Sequence, residues 1–284
     1  MASSKFLFDT SCVLGKLHPS FRDLRRQTEE IVGDGELWTT WYLRMEFYRR
    51  WILTWIRLYF AAKRHGNLDE AIVWAVDKYG DREAKAVGHL LAAYHNAVVE
   101  RGSDEREAIE RVGELIYRIA YEYEQTFSKR WENNCGCQRR QTIDRSGKTL
   151  DIALQIFYKE FSPDVQDCPI NSFLNFKSDS PKYRPIRGRR LKLKVVGSRK
   201  DGFKKLTERF ESYVKKNEHI CCTQCERIGD VVIVLDMPKR ALTLLHTDYA
   251  FDYLCESLGI PHRRLNATRA VSPEKDVLAD LMDS

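Results

Sequence analysis

Several features that are typical of other classes of protein are missing from this sequence. It has no apolar run of the roughly 18 residues needed to cross a bilayer, because its most apolar stretch, residues 51–56, ends at Arg57. The apolar residues 6–8 end at Asp9 and are too few for the hydrophobic part of a secretory signal. No internal repeat is present, and no Gly-x-Gly-x-x-Gly motif precedes a helix, which disfavours a dinucleotide enzyme. We therefore expect a soluble, cytoplasmic protein that has no membrane partner.

The composition is that of a protein with a substantial hydrophobic core. Of the 284 residues, 43% are hydrophobic and 11% are aromatic. These proportions exclude collagen-like, coiled-coil-only and wholly disordered chains. The length favours either one core with a sizeable insertion or two small lobes.

Positive charge is concentrated in one segment. The chain has 47 Lys and Arg against 41 Asp and Glu, a net charge of +6. Residues 182–216 contain 14 basic and 3 acidic residues, an excess of 11, which leaves −5 for the rest of the chain. This distribution suggests a polyanionic partner, although a solvated or disordered basic loop is the alternative. The residues expected to contact nucleic-acid phosphates rather than base edges are Arg184, Arg187, Arg189, Arg190, Lys192 and Lys194.

The cysteines are unevenly distributed. Five of the eight lie in two tight clusters, at positions 135–137 and 221–225. Because disulfides are rare in a reducing compartment, clusters of this kind favour metal ligation, with a redox pair or unligated thiols as alternatives. The Cys-x-x-Cys spacing suits a tetrahedral Zn²⁺. We expect a structural zinc site made by four of the five residues Cys135, Cys137, Cys168, Cys222 and Cys225, and we expect Cys12 and Cys255 in the core.

The hydrophobic pattern predicts helices and strands in a mixed order. A strand at residues 5–8 is followed by a turn, and a β-branched run at residues 231–235 has the propensity of a strand. Near the end of the chain, a strand at residues 241–245 precedes a helix at residues 249–258 that Gly259 terminates. An extended connector is expected at residues 162–190. The remaining predicted helices are residues 37–63, 69–79, 82–100, a helix capped by Ser103, 150–161 and 203–216.

Four acidic residues are candidates for a metal site: Asp9, Glu46, Asp230 and Asp248. Asp9 and Asp248 each follow a strand-like segment, where a carboxylate costs desolvation energy unless it is paired or binds a cation. If the four side chains converge, they provide the anionic, oxygen-rich site that Mg²⁺ or Mn²⁺ needs, with room for a substrate phosphate. The alternative is that Asp9 and Asp248 are turn residues, that Asp230 is a helix N-cap and that Glu46 is a surface acid. His246 is interpreted as a structural histidine at a strand end.

Two segments resemble the ends of PIN domains. Lys5-Phe-Leu-Phe-Asp-Thr-Ser-Cys is similar to their opening strand and acid. Gly229-Asp-Val-Val-Ile-Val-Leu, followed by Leu244-Leu-His-Thr-Asp-Tyr-Ala-Phe, is similar to their closing helix, strand and acid. The resemblance spans residues 5–50 and 226–265, and it implies an α/β/α sandwich around a central parallel sheet. It also implies a helix after Gly229, where the β-propensity of the residues predicts a strand.

The resemblance further implies a metal-dependent nuclease, in most cases a ribonuclease. By position, Asp9 matches the first acid of the family, Asp230 the third and Asp248 the fourth. Glu46 is our candidate for the second acid, on a helix that follows the first strand. Weaker candidates for that place are Glu36 and Asp34, and acids that could assist or replace a ligand are Asp236 and Asp252.

The combined expectation is an α/β protein with a PIN-like core, a helical insertion and a small zinc-stabilised basic element. The expected divisions are the core at residues 1–50 and 221–270, the helical insertion at 51–131, the cysteine-containing basic insertion at 132–220 and a polar tail at 271–284. The expected function is hydrolysis of phosphodiester bonds with Mg²⁺ or Mn²⁺, as an endoribonuclease. The alternatives are a non-catalytic RNA- or DNA-binding module with the same fold, and a toxin or defence nuclease whose protein partner binds the helical insertion.

Overall fold

A five-stranded parallel sheet lies at the centre of the fold. The computed structural model describes residues 4–17, 22–79, 102, 104–127, 129–131, 147–161, 229–237 and 242–266. The strands across the sheet have the order β3-β2-β1-β4-β5, and every neighbouring pair is parallel. In chain order they are β1 Lys5–Phe8, β2 Glu36–Thr40, β3 Lys129–Trp131, β4 Thr243–His246 and β5 His262–Arg264.

The central strand is covered on both faces. Phe6, Leu7 and Phe8 are all buried, although successive side chains of a strand point to opposite faces. A continuous apolar run of this kind is typical of parallel sheets, whose faces are covered by the connecting helices. The predicted α/β class and the parallel sheet are therefore confirmed.

Helices make most of the connections between the strands. A short π-helical turn, Tyr48–Ile52, joins α3 to α4. The helices of the described residues are α1 Thr10–Leu17, α2 Arg22–Val32, α3 Trp41–Phe47, α4 Leu53–His65, α5 Leu68–Tyr79, α6 Glu105–Thr126, α7 Leu150–Phe161, α8 Gly229–Asp236 and α9 Tyr249–Leu258.

The prediction of one helix over residues 37–63 is wrong at its N-terminal end. Glu36–Thr40 forms β2 and pairs with β1, with Leu7 opposite Trp38. Thr40 then caps α3, because its side chain accepts a hydrogen bond from the Leu43 amide at 3.1 Å. The absence of Gly and Pro permits a helix here, but β1 offers this segment the backbone partners of a strand. Tertiary pairing therefore overrides the local pattern.

Two further predictions need correction, and two are confirmed. The chain after Asp9 is the helix α1 rather than a turn. The cap of α6 is Asp104 rather than Ser103, because its side chain accepts a hydrogen bond from the Glu107 amide. The β-branched run after Gly229 is helical, as the family resemblance implies and propensity does not. The helix α9 ends at Gly259 in the left-handed conformation, with φ 66°, as predicted.

The helices of residues 51–131 and the sheet share one hydrophobic cluster. Within it, the ring of Tyr48 stacks on Phe161 with 4.2 Å between centroids. A buried ion pair crosses the same region, because Nε of Arg44 on α3 donates to Glu124 of α6 at 2.7 Å. Replacement of either residue would strongly destabilise the fold, because the charge of the other would remain without a partner. The helix that carries Glu46 is thus held firmly against α6.

Other sequence predictions fall outside the described residues. These are the helices at 82–100 and 203–216, the connector at 162–190 and the tail at 271–284. The strand β3 joins the sheet, although the sequence pattern places it at the end of the helical insertion. Among the residues that are described, no helix combines the length and the apolar character needed to cross a membrane.

Candidate active site at the carboxyl edge of the sheet

The strand order reverses between β1 and β4. From β1 the chain builds β2 and β3 on one side, and it later adds β4 and β5 on the other. In open parallel sheets, ligands bind outside the carboxyl ends of the strands at such a reversal. Asp9 directly follows β1, and Asp248 lies two residues after β4. Their strands are neighbours, with Phe8 opposite Leu245, so both predicted acids lie at this point.

Glu46 reaches the same edge from the helix α3, which follows β2. The hydroxyl of Thr10, the first residue of α1, donates a hydrogen bond to Oε2 of Glu46 at 2.6 Å. Thr10 is adjacent to Asp9 in the chain and is itself buried. This bond therefore ties the second candidate acid to the segment that carries the first.

Asp230 lies near the other acids because the start of α8 packs closely against α3. It is the second residue of α8, directly after Gly229. A Cβ atom at Gly229 would lie 2.4 Å from the hydroxyl oxygen of Tyr42 on α3 and 3.2 Å from two carbons of its ring. Tyr42 is 97% buried, so its ring has little room to move. Only glycine therefore lets the start of α8 lie this close to the helix of Glu46.

The carboxyl group of Asp9 is held in an unfavourable environment for its charge. Only 6% of the residue is exposed. Burial raises its pKa from 3.8 to about 6, and the Asp248 carboxylate adds to this. The backbone amide of Ser11, which donates to Oδ2 at 3.3 Å, opposes the rise. Near neutral pH, Asp9 is thus an ionised acid whose charge is poorly compensated.

Asp230 links all four acids electrostatically. Its pKa is raised well above the usual range, first by burial and then by the negative charges of Glu46, Asp9 and Asp248. The guanidinium of Arg50, an exposed residue of the π-helical turn, acts in the opposite direction. Charges affect each other's pKa in this way only over short distances. Asp230 is therefore within electrostatic range of the other three predicted acids, and we call the four residues the acid pocket.

Asp248 also has a local role. It is exposed, and Oδ1 accepts a hydrogen bond from the Ala250 amide at 2.9 Å, which makes Asp248 the N-cap of α9. The alternative role considered for Asp248 is that of a turn residue, and the structure shows a helix-capping residue instead. Capping engages one carboxylate oxygen, and a carboxylate has two. The same side chain can therefore cap a helix and bind a cation.

The weaker candidates for the second acid lie elsewhere. Glu36 is the first residue of β2, which places it at the amino edge of a parallel sheet, opposite the edge of Asp9. Its carboxylate accepts a hydrogen bond from the indole nitrogen of Trp38 at 3.1 Å. Asp34 is exposed in the turn before β2. Of the three candidates, Glu46 is the one that shares a pocket with Asp230.

The tightest group of possible metal ligands in the described residues is a different one. It consists of His246, Asp252 and His262, whose ligand atoms all lie within 4.8 Å of one another. No three of the four predicted acids, all of which lie in the described residues, meet this distance. The sequence pattern favours a structural role for His246 and an assisting role for Asp252, and it does not single out His262. The available signal was two histidines and an acid within 17 residues around a strand–helix–strand unit.

The predicted zinc and nucleic-acid residues lie outside the described part of the chain. These are Cys135, Cys137, Cys168, Cys222 and Cys225, and Arg184, Arg187, Arg189, Arg190, Lys192 and Lys194. Cys12 and Cys255 are buried free thiols in the core, as expected.

Comparison of the chain with protein-family models, with curated proteins and with solved structures gave no match.

Proposed function

We propose that this protein is a PIN-like, metal-dependent nuclease that hydrolyses phosphodiester bonds of nucleic acid, with RNA as the preferred substrate. The observation that carries the proposal is the position of Asp9 and Asp248 just beyond the carboxyl ends of the neighbouring strands β1 and β4, with the Thr10 hydroxyl joining Glu46 to the segment of Asp9. The raised pKa of Asp230, to which burial and the charges of Glu46, Asp9 and Asp248 contribute, supports it. Four acids that share one pocket at the ligand-binding edge of a parallel sheet destabilise one another unless a cation is present. Resemblance of the chain ends to PIN domains supports the α/β/α sandwich and the nuclease class.

The donor set fits a hard divalent cation. All four candidate side chains offer carboxylate oxygens, which suit Mg²⁺ and Mn²⁺ better than softer metals. Asp9, Glu46, Asp230 and Asp248 would hold the ion or ions. When bound, such an ion neutralises the phosphodiester and makes a water molecule a better nucleophile.

The neighbouring side chains prepare the pocket for this task. The Thr10 hydroxyl holds one oxygen of Glu46, and the Ser11 amide holds one oxygen of Asp9, which fixes the orientation of both carboxylates. Arg50 presents an exposed guanidinium beside the acids, where it suits a substrate phosphate. The sequence does not single out Arg50, because one arginine in an aromatic and basic helix forms no pattern of its own.

The predicted basic residues would bind the substrate backbone away from the acids. In this proposal, Arg184, Arg187, Arg189, Arg190, Lys192 and Lys194 hold the phosphates of the flanking nucleotides. The cysteine cluster would bind a structural Zn²⁺, since thiolates prefer zinc and leave Mg²⁺ or Mn²⁺ to the carboxylates.

The proposal is tested by separating cleavage from binding. Labelled single-stranded RNA and DNA of the same sequence are incubated with wild type, Asp9→Asn or Asp248→Asn in Mn²⁺, and binding is measured by fluorescence anisotropy. We expect both variants to bind RNA but to cleave it at least about 100-fold more slowly, because part of the metal site is lost. The matched control is Asp69→Asn, a change of an exposed acid on α5 that should cleave normally.

Three results would contradict parts of the proposal. Equal cleavage by wild type and both variants overturns the assignment of the site. Binding without any cleavage by wild type indicates the non-catalytic module instead. Faster cleavage of DNA than of RNA refutes the substrate preference while keeping the nuclease.

A further inference from the structure

His246, Asp252 and His262 meet where β4, α9 and β5 pack together. His246 ends β4, Asp252 lies in the first turn of α9, and His262 begins β5. The two imidazole rings lie 5.5 Å apart between centroids and are nearly parallel. Oδ1 of Asp252 lies 3.5 Å from Nε2 of His246 and 3.6 Å from Nε2 of His262. One carboxylate oxygen therefore faces the same nitrogen of both rings.

The other ring nitrogens identify which tautomer is present. Nδ1 of His246 lies 2.9 Å from the carbonyl oxygen of Asp248, and Nδ1 of His262 lies 3.2 Å from the carbonyl oxygen of Ile260. Because a carbonyl oxygen can only accept, Nδ1 is the donor in both rings. In the neutral ring this leaves the lone pair of Nε2 available to a cation, and each Nε2 lies within 3.6 Å of Oδ1 of Asp252. Histidine ligands of metals in proteins are usually held in this way, with the second nitrogen donating to a carbonyl or carboxylate.

Nε2 of His246 needs a partner. The atom is fully buried and has no hydrogen-bond partner among the described residues. Its 3.5 Å separation from Asp252 is longer than a usual N–H···O bond of about 2.9 Å. Unsatisfied buried polar atoms are rare in folded proteins and indicate an ion or water that completes the site.

The ligand spacing matches a tetrahedral ion. With metal–ligand bonds of about 2.0–2.1 Å, tetrahedral geometry separates the ligand atoms by roughly 3.3 Å. The observed 3.5 and 3.6 Å are close to this value. Oδ2 of Asp252 is held separately by Arg264, which donates to it at 2.5 Å and so leaves Oδ1 directed at the two rings. The side chains of Asp252 and His262 are each 19% exposed, which gives an ion a path from solvent.

We propose that His246, Asp252 and His262 form a second metal site, separate from the acid pocket, that binds one Zn²⁺ with the fourth position open to solvent. Imidazole nitrogen with a single carboxylate suits zinc and is a poor set for Mg²⁺. The ion joins two strands and the helix between them. Through the bond from His246 to the Asp248 carbonyl, it also fixes the backbone that carries one acid of the proposed nuclease site.

The test counts zinc ions in the full-length protein. Wild type, His262→Gln and Asp252→Asn are stripped with EDTA and titrated with Zn²⁺ against a chromophoric chelator, and their bound zinc is confirmed by elemental analysis. We expect each variant to bind one equivalent less than wild type, because any cysteine site is unchanged. His65→Gln, which alters an exposed histidine of α4, is the matched control and should bind as wild type does.

Thermal unfolding gives a second reading. Saturating Zn²⁺ should raise the Tm of wild type by about 5–10 °C, and this increase should be smaller in both variants, whereas Mg²⁺ should not distinguish the variants from wild type. Circular dichroism identifies which variants are folded. Full zinc stoichiometry in either folded variant overturns the proposal. Neither measurement depends on cleavage of nucleic acid, so failure of the nuclease proposal leaves this result readable.

Discussion

Asp9 combines burial, a charge and a position directly after the central strand. A carboxyl group in such a place has two stable states, protonated or bound to a cation. Its pKa of about 6 means that both states are within reach of ordinary conditions. The pH of the solution and the supply of divalent ions should therefore control its contribution to stability.

We predict that Asp9→Asn stabilises the protein in EDTA. Because burial raises the pKa of Asp9 in the folded state, the stability linked to its protonated form is present below pH 3.8 and is lost as the pH rises through about 6. Above that pH the ionised group should lower the free energy of unfolding by up to about 3 kcal/mol. Asparagine cannot ionise. Denaturation curves at pH 4.5 and 7.5 should show a gain for Asp9→Asn that is larger at pH 7.5.

Addition of Mn²⁺ should make wild type more stable than Asp9→Asn. Wild type should gain stability with Mn²⁺ at pH 7.5, whereas Asp9→Asn should gain less, because one ligand is missing. The exposed Asp69→Asn again serves as the control. A difference between Asp9→Asn and wild type that is the same at both pH values would contradict the assigned pKa.

The approach of α8 to α3 sets the geometry of two acids. Asp230 follows Gly229 on α8, and Glu46 lies one turn beyond Tyr42 on α3. The Tyr42 hydroxyl occupies the space that a side chain at position 229 would need. The contact between these two helices thus determines how close the second and third candidate acids lie.

We predict that Gly229→Ala weakens both stability and cleavage. The added Cβ would lie 2.4 Å from the Tyr42 hydroxyl oxygen, so α8 must shift or the buried ring must turn. Overpacking of this kind costs about 1–3 kcal/mol, although alanine is the better helix former. Denaturation and Mn²⁺-dependent cleavage measure the two effects.

The double variant Gly229→Ala with Tyr42→Phe is the matched comparison. Loss of the hydroxyl removes the closest atom and leaves two ring carbons at 3.2 Å, so we expect partial recovery relative to Gly229→Ala. Tyr42→Phe alone supplies the baseline for the double variant. A Gly229→Ala protein as stable and as active as wild type would show that the two helices are not constrained here.

In the proposed function, the uneven distribution of charge along the chain separates cation binding from binding of the substrate backbone. Acids gather at the carboxyl edge of the sheet, where they suit cations, and the excess of basic residues lies at 182–216. An anionic pocket repels nucleic acid until cations fill it, so affinity for the phosphate chain has to come from another surface. We therefore expect binding and cleavage to respond to different substitutions.

We predict that replacing Arg189, Arg190, Lys192 and Lys194 by Gln weakens RNA binding and flattens its salt dependence. Each phosphate contact contributes about 0.7 to the slope of log K against log salt for single strands. Loss of four contacts should therefore reduce the slope by up to about 3. The matched control replaces four exposed cations of the described residues by Gln: Arg26, Arg64, Arg118 and Lys159. Equal slopes for the two quadruple variants would contradict the assigned binding surface.

Much of the α/β architecture could be predicted from local pattern. The apolar run at residues 5–8, the helix α9 and its terminal Gly259 depend on neighbours only a few residues away, and the structure confirms all three. The positions of Asp9 and Asp248 after strands were also readable, since strand ends are local features. Periodicity and capping are properties of short segments, and a sequence displays them directly.

Other features arise only when distant segments meet. Residues 36–40 are a strand because β1 lies beside them, and Glu46 takes precedence over Glu36 because the two lie at opposite edges of one sheet. The trio of His246, Asp252 and His262 exists because β4 and β5 are parallel neighbours with α9 packed against them. Pairing between strands and packing between helices depend on the order of the sheet, which no local pattern contains. Sequence alone therefore predicted the candidate acids and the class of fold. The tertiary contacts determined which of these acids lie within electrostatic range of Asp230, and they revealed the second candidate metal site.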